Sequence, residues 1–207
     1  MANVITIART LAAGGEEVGQ LVAKQLGFRY ADDEIINDAA SRAGVSRETI
    51  ANVEKKQGLV ARIMETMSHV PLEPQMYYGQ ALSAVPLAES SDYEQLIQNV
   101  IVETANAGRV VIVAHGAGYC LAGNAGLLRV FVTASPERRA ERLAVAASAD
   151  AKRAAKAVGD SDKDREDFLR RFYDVAHESA WHYELVINTD LLSTEKSAEL
   201  IVAAAKG

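Results

Sequence analysis

The 207 residues carry 49% hydrophobic side chains and a formal net charge of −6. That is enough apolar material for one compact core, and the wrong sign of charge for a surface that tracks a nucleic-acid backbone. The opening MANVITIART has no basic stretch leading into a long apolar run, and no run of about 18 apolar residues occurs, which argues against a secretory leader and a membrane-spanning helix. Cys120 is the only cysteine, so a disulfide framework and a cysteine-rich zinc cluster are excluded, and a reducing cytoplasm is expected.

Short β-branched runs alternate with longer segments of helical period, the pattern of parallel strands joined by crossover helices. Val4 to Ile7 reads as the first buried strand, and Val18, Leu21, Val22 and Leu26 as one face of a helix closed by Gly27, with residues 8–15 as the turn between them. Phe28 to Ala31 predicts a short strand, and Ile35, Ile36, Ala39, Ala40 and Ala43 a helix that stops near Gly44, after which Ser46 can cap another. Between Gly44 and Ser91 the strand signal disappears, and Pro71, Pro74 and Pro86 gather beside Tyr77 and Tyr78, predicting an inserted helical flap. Asp92 with Gln95 resembles a capping box ahead of Leu96, Ile97, Val100 and Ile101. Gly108 precedes the strongest strand signal, Val110 to Val113, which is expected at the centre of the sheet. Leu128 to Thr133 is the next strand, and Ser135-Pro136 opens a helix with a cap and an N1 proline. A charged helical stretch from about Ala146 to Ala180 carries Phe168, Leu169 and Phe172 as its apolar stripe. Glu184 to Asn188 is the last strand, and Ser193 starts a C-terminal helix. The expected fold is therefore α/β, a three-layer doubly wound parallel sheet in one domain over 1–207, with a flap at about 44–91 and a lid at about 147–180.

In open α/β sheets ligands bind beyond the carboxyl ends of the strands, which directs attention to the turns at 8–15, 114–118 and 188–190. In Arg9-Thr10-Leu11-Ala12-Ala13-Gly14-Gly15-Glu16, small residues let the backbone wrap closely, and the helix that follows aims free N–H groups and a positive dipole end at an anion. The same pattern is also ordinary structural punctuation, and G-x-x-x-x-G-K-[ST] is absent. Arg9 offers either a phosphate-holding fork or a surface ion pair, and Glu16 and Glu17 suit the first turn of a helix. His115, beside a strand end, can donate to a phosphate or a base, or serve as a helix-start residue. Asn188-Thr189-Asp190 can line a base pocket or form an Asx turn. His69, His177 and His182 lack metal-ligand spacing, so no residue is nominated for a metal. For Tyr77, Tyr78 and Trp181, core or interface packing is the plain expectation.

Ile5-Thr6-Ile7-Ala8-Arg9 followed by Ala12-Ala13-Gly14-Gly15 resembles the strand, S-R and G-S-G-G pattern of the cytidylate kinase-like family of P-loop nucleoside-monophosphate kinases. Tyr30 to Ile36, Val110 to Gly116, Val130 to Arg142, Asp162 to Arg165 and Leu185 to Thr189 follow in that family's order, so the resemblance covers most of the chain except the flap. It implies a P-loop core, a monophosphate-binding flap and an arginine-bearing lid. It also implies transfer of the γ-phosphoryl of ATP, with Mg²⁺, to a nucleoside monophosphate, with a CMP- or dCMP-like acceptor favoured. By the same resemblance Arg9, Ala12, Ala13, Gly14, Gly15 and Glu16 would hold the donor, with the Walker lysine position at Gly15 and the metal-binding Ser/Thr position at Glu16. The family itself lacks that lysine. Here its usual serine and glycine have also become Ala8, Ala12 and Ala13, while His115 and Gly116 stand where a G-R-D segment meets the acceptor. Asp33 and Arg42 are further acceptor-side candidates, and Arg165, Arg142 and Arg138 are the lid arginines to neutralise the moving phosphoryl group. A small-molecule nucleotide is the implied partner, with no nucleic acid and no membrane, and homo-oligomerisation stays open. The rival reading is a catalytically weak or inactive nucleotide-binding or regulatory protein that keeps the fold. A dinucleotide-binding oxidoreductase ranks last, because the first turn lacks G-x-G-x-x-G.

Overall fold

In a computed structural model that describes residues 1–54 and 90–207, the β-branched runs become five strands: β1 (Val4–Arg9), β2 (Arg29–Ala31), β3 (Val110–Val113), β4 (Leu127–Thr133) and β5 (Leu185–Asn188). They lie in the order β2-β3-β1-β4-β5, and every neighbouring pair is parallel. The middle strand is β1, whose Ile5 stands opposite Val111 on one side and Leu128 on the other. Expected at the centre, β3 lies one place away; its four residues are all buried because it too has a strand on each edge and helices on each face.

Helices α1 (Gly15–Leu26), α2 (Asp33–Ala43), α3 (Arg47–Glu54), α4 (Ser90–Asn106), α5 (Ala117–Cys120), α6 (Pro136–Ala147), α7 (Ala151–Tyr173) and α8 (Thr194–Lys206), with a 3-10 turn at Ala180–His182, complete the described elements. The two-residue alternation of the strands sorts them into layers. Ile5, Ile7, Val111, Val113, Val130 and Val132 turn one way, against Val18 and Val22 of α1 and Ala198 and Ile201 of α8. Val110 and Ile112 turn the other way, against Ile35 and Ile36 of α2 and Ile97 and Ile101 of α4. Helix starts follow the sequence: Ser135 accepts from the Arg138 amide at 3.4 Å with Pro136 in the first turn, and Ser193 accepts from that of Lys196 at 3.2 Å. Among the described residues no helix is long and apolar enough to cross a membrane.

Two expectations change. The capping box at Asp92 does not form, because α4 begins two residues earlier; Asp92 lies within its first turn, and the Gln95 side chain donates through Nε2 to Asn99 Oδ1 at 3.2 Å instead. The long charged segment becomes helical at Ala151, where Asp150 caps it by accepting from the Arg153 amide at 2.9 Å, and the helix stops at Tyr173, short of the expected Ala180, because Asp174 turns left-handed. Most of the anticipated flap, with His69, Pro71, Pro74, Tyr77, Tyr78 and Pro86, lies outside the described residues.

Close packing of α1 on the sheet depends on Gly19, where a Cβ would stand 2.7 Å from Val113 Cγ2 and 3.1 Å from Tyr30 Cε2. Overpacking of this kind costs about 1–3 kcal/mol, against about 1 kcal/mol of helix propensity that alanine gains over glycine. Gly19→Ala is therefore expected to lower the urea midpoint, a net loss on the order of 1 kcal/mol. An unchanged or higher midpoint would mean that the sheet yields to the methyl group at no cost.

Candidate active site

β1 delivers Arg9 to the carboxyl end of the sheet, and the chain then turns into α1. Ala12 and Gly14 take left-handed φ values of 61° and 81°. As the N-cap, Gly14 supplies no side-chain bond, so the first amides of α1 and the positive end of its dipole stay available. The turn's carbonyl groups are tied down instead. Thr189 Oγ1 donates to the Ala13 carbonyl at 2.9 Å, and Arg142 Nη1 to that of Ala12 at 3.4 Å. Arg142 is fixed in turn by bonds to Thr189 Oγ1 at 2.9 Å and to the Thr189 carbonyl at 2.5 Å. A cavity of about 560 Å³ opens here, lined by Ala12, Ala13, Gly14, Glu16, Arg142 and Thr194 among others.

Arg9 lies across the start of α1 because Gly15 has no side chain: a Cβ there would fall 2.6 Å from Arg9 Cβ. The Nε of Arg9 approaches Glu16 Oε1 to 2.5 Å. The contact is ionic rather than aligned, since Nε is buried and makes no directed hydrogen bond among the described residues. A second cavity, about 240 Å³, is lined by Arg9, Leu11, His115, Gly116, Asp162 and Arg165 among others. Leu11 lines both cavities, and the Arg9–Glu16 pair joins them, with Glu16 in the larger and Arg9 in the smaller.

At the far wall three successive residues, Ala114, His115 and Gly116, have positive φ of 66°, 55° and 66°. Two of them are not glycine, and backbone of this kind gathers at functional sites. The nearly buried His115 ring places Nε2 3.2 Å from the Asp32 carbonyl and 3.6 Å from Asp32 Oδ1. Burial would push the Asp32 carboxyl up, but hydrogen bonds from His115 and Tyr30 and the nearby positive charges outweigh it and hold the group below its ordinary value. Tyr173 covers Gly116, where a Cβ would meet its ring at 2.2 Å, and its hydroxyl donates to the His115 carbonyl at 3.1 Å.

Arg165, on α7, is gripped by Glu178 through Nε at 2.7 Å and Nη2 at 2.6 Å, and its Nη1 donates to the Arg9 carbonyl at 3.2 Å. Tyr183 and Tyr119 also donate to Glu178. Asp162, three residues before Arg165, is neutralised by Arg139, a buried side chain that reaches it with two bonds of 2.8 and 2.6 Å. Asp164 remains as a further carboxylate of the smaller cavity.

The anticipated residues thus divide. Arg9, Ala12, Ala13, Gly14, Glu16, Arg142, His115, Gly116 and Arg165 line the two cavities, and Gly15 lies under the Arg9 side chain without lining either. Asp33 is exposed and pairs with Arg47, Arg42 bonds Asp38 and Glu103 on the outer side of α2, and Arg138 pairs with Glu141; none of the three lines either cavity. Trp181 is 80% exposed, so of the two packing expectations the core one does not hold. Of the alternatives read from Asn188 to Asp190 the Asx turn forms, with Asn188 Oδ1 accepting from the Asp190 amide at 2.8 Å, and Thr189 lines the larger cavity. Burial pushes the Cys120 thiol up to about 11, which leaves it a poor nucleophile. Among the described residues no group of three or more His, Cys, Asp or Glu is placed to hold a metal ion. Asp32, Arg139 and Glu178 are the contributors that sequence reasoning passed over. No local signal marked Arg139 over its neighbour Arg138, or Glu178 at all.

A family model described as the cytidylate kinase-like family matches residues 4–191. Among solved structures, an uncharacterized protein from Eubacterium ventriosum superposes with a TM-score of 0.69 at 15% identity, over 99% of this chain and 98% of that one. A shikimate kinase from Bacteroides thetaiotaomicron gives 0.55 at 13% identity over 100% of both chains. A gluconokinase from Sinorhizobium meliloti gives 0.53 at 11% identity over 99% and 92%. At such identities the likeness is one of fold. No curated protein matches the sequence.

Burial would raise the Glu178 carboxyl, but the bonds and charge of Arg165, with the two tyrosine hydroxyls, hold it below its ordinary 4.5. A depressed folded value means that the pairing stabilises the protein fully above the ordinary carboxylate range and ceases to do so as pH falls through the folded value. Urea midpoints measured from about pH 6 downward should therefore fall more steeply in the wild type than in Glu178→Gln. Parallel curves would assign the acid lability to other carboxylates.

Proposed function

The chain belongs to the cytidylate kinase-like family, and we propose that it transfers a phosphoryl group from ATP in the larger cavity to a small phosphorylated acceptor in the smaller one, with a CMP- or dCMP-like nucleotide favoured. The observation that carries this reading is that the two cavities meet at one turn, with Leu11 in both walls and the Arg9–Glu16 contact between them. Phosphoryl transfer needs two phosphates aligned and their charge offset, with little covalent work for the protein. Donor phosphates fit the uncapped start of α1, and the space of a side chain at Gly15, the lysine position by family resemblance, is taken by Arg9, whose guanidinium supplies a positive charge there. On the acceptor side stand His115 and Arg165, and the arginine-bearing lid is assigned to about residues 147–180.

Mg²⁺ leans on substrate phosphates and water more than on protein cages. It would be held chiefly by the nucleotide, with Glu16 and Glu17 the carboxylates of this chain that line the donor cavity. Its contribution would be to spread the charge of the transferring group. One observation favours a second reading, nucleotide binding with little or no turnover: Arg9 and Arg165 each already face a carboxylate, Glu16 and Glu178.

The deciding experiment is ADP release by the purified protein given ATP, Mg²⁺ and a panel of nucleoside monophosphates. Shikimate and gluconate belong in the panel because structural neighbours carry those names. Acceptor-dependent release with a cytidine monophosphate is expected, and Arg165→Ala should lower it at least about 10²-fold. Release with only another acceptor would replace the substrate assignment. No release, with a rise in melting temperature on adding ATP, would favour the binding-only reading.

A further inference from the structure

We propose that Glu178 is a positioning residue that presents the Arg165 guanidinium to ligand at the junction of the turn and the acceptor cavity, an inference that rests on the phosphoryl-transfer reading. A long arginine on an exposed helix would ordinarily sample many rotamers and lose that freedom on engaging a phosphate. Arg165 is held beforehand. Glu178 takes its Nε and Nη2 in a two-bond grip, the Arg9 carbonyl takes Nη1 at 3.2 Å, and the guanidinium carbon lies 5.3 Å from the centre of the Phe131 ring. A guanidinium has five N–H groups, so these three bonds leave part of its donor set for the cavity that Arg165 lines.

A bare carboxylate in so close a grip would spend much of the arginine's positive charge. Here Tyr183 and Tyr119 both donate to Glu178, which draws part of its negative charge away from Arg165. These rings are fixed in turn: Tyr183 stacks on Phe131 at 5.2 Å and Tyr119 on Tyr173 at 5.6 Å, and Tyr173 bonds the His115 carbonyl. The cluster thus ties the arginine to both ends of the acceptor cavity, the Arg9 carbonyl at one side and the 114–116 turn at the other. A salt bridge serving stability alone would need neither the third bond to the turn nor the hydroxyl support.

The test compares wild type, Glu178→Gln, Glu178→Asp, Arg165→Ala and the Arg165→Ala/Glu178→Gln double variant, each checked for cooperative unfolding, with Tyr183→Phe as the milder substitute if Glu178→Gln does not fold. Initial rates should show kcat reduced about tenfold or more in Glu178→Gln, with KM for ATP within about twofold of wild type, and part of the rate restored in Glu178→Asp. The double variant should be no slower than Arg165→Ala, because Glu178 acts only through that arginine. Wild-type rates in Glu178→Gln beside a slow Arg165→Ala, or losses that multiply in the double variant, would overturn the positioning role and leave the kinase reading standing. If the wild type shows no turnover, that reading fails by itself and tripolyphosphate titration decides: equal weakening in Glu178→Gln and Arg165→Ala upholds the positioning, and undiminished binding by Glu178→Gln, or no binding by the wild type, overturns it.

Discussion

A side chain at position 15 would collide with Arg9, and the organisation of the candidate site follows from that close approach. With only hydrogen at Gly15, the arginine leaves the end of β1 and lies over the first turn of α1, bringing a guanidinium to the helix end that already carries a positive partial charge. Two like charges at one place are tolerable because Glu16 stands beside them. An incoming phosphate offers the same compensation with more acceptor oxygens. On the proposed reading, the resident carboxylate marks where a phosphate charge belongs.

The sheet order explains why this happens at β1. From β1 the chain passes over β3 to β2 on one side, and from β3 it crosses back past β1 to β4 on the other, so the crevice at the reversal opens beside the carboxyl end of β1. The 189–194 segment beyond β5 closes one flank of that crevice, through the Thr189 bonds to the Ala13 carbonyl and to Arg142. The strained 114–116 turn after β3 closes the other. Neither flank needs the residues of a standard P-loop. That is how Ala12 and Ala13 can stand where the family pattern has glycine and serine while the loop keeps its path, Ala12 even holding a left-handed φ.

Much of this was legible in the sequence because strand alternation, glycine stops and Ser/Thr caps are local signals. The elements around Val18, Ile35, Val110, Ser135 and Ser193 formed where those signals put them. Long-range consequences were less visible. The centre of the sheet went to β1 rather than β3, since burial on both faces does not distinguish a middle strand from its neighbour. Adjacent residues on a helix point about 100° apart, and periodicity did not say which of Arg138 and Arg139 turns inward; it is Arg139, paired with Asp162. The Asp32–Asp33 pair posed the same ambiguity, settled by Tyr30 and His115 reaching Asp32 while Asp33 faces solvent. Glu178 carried no motif at all. Its part depends on two tyrosines and an arginine drawn from α5, β5's approach and α7, a meeting that only the folded chain creates.

The most direct measurement is a calorimetric titration of ATP and of adenosine into wild type and Arg9→Met. If Arg9 supplies the phosphate-binding charge at the Gly15 position, the wild type binds ATP more tightly than adenosine. Arg9→Met should then lose about tenfold or more of the ATP affinity, as expected for a charge-assisted contact, while adenosine binding stays the same. ATP bound equally by both proteins, or no tighter than adenosine by the wild type, would contradict the assignment of this turn as the donor phosphate seat.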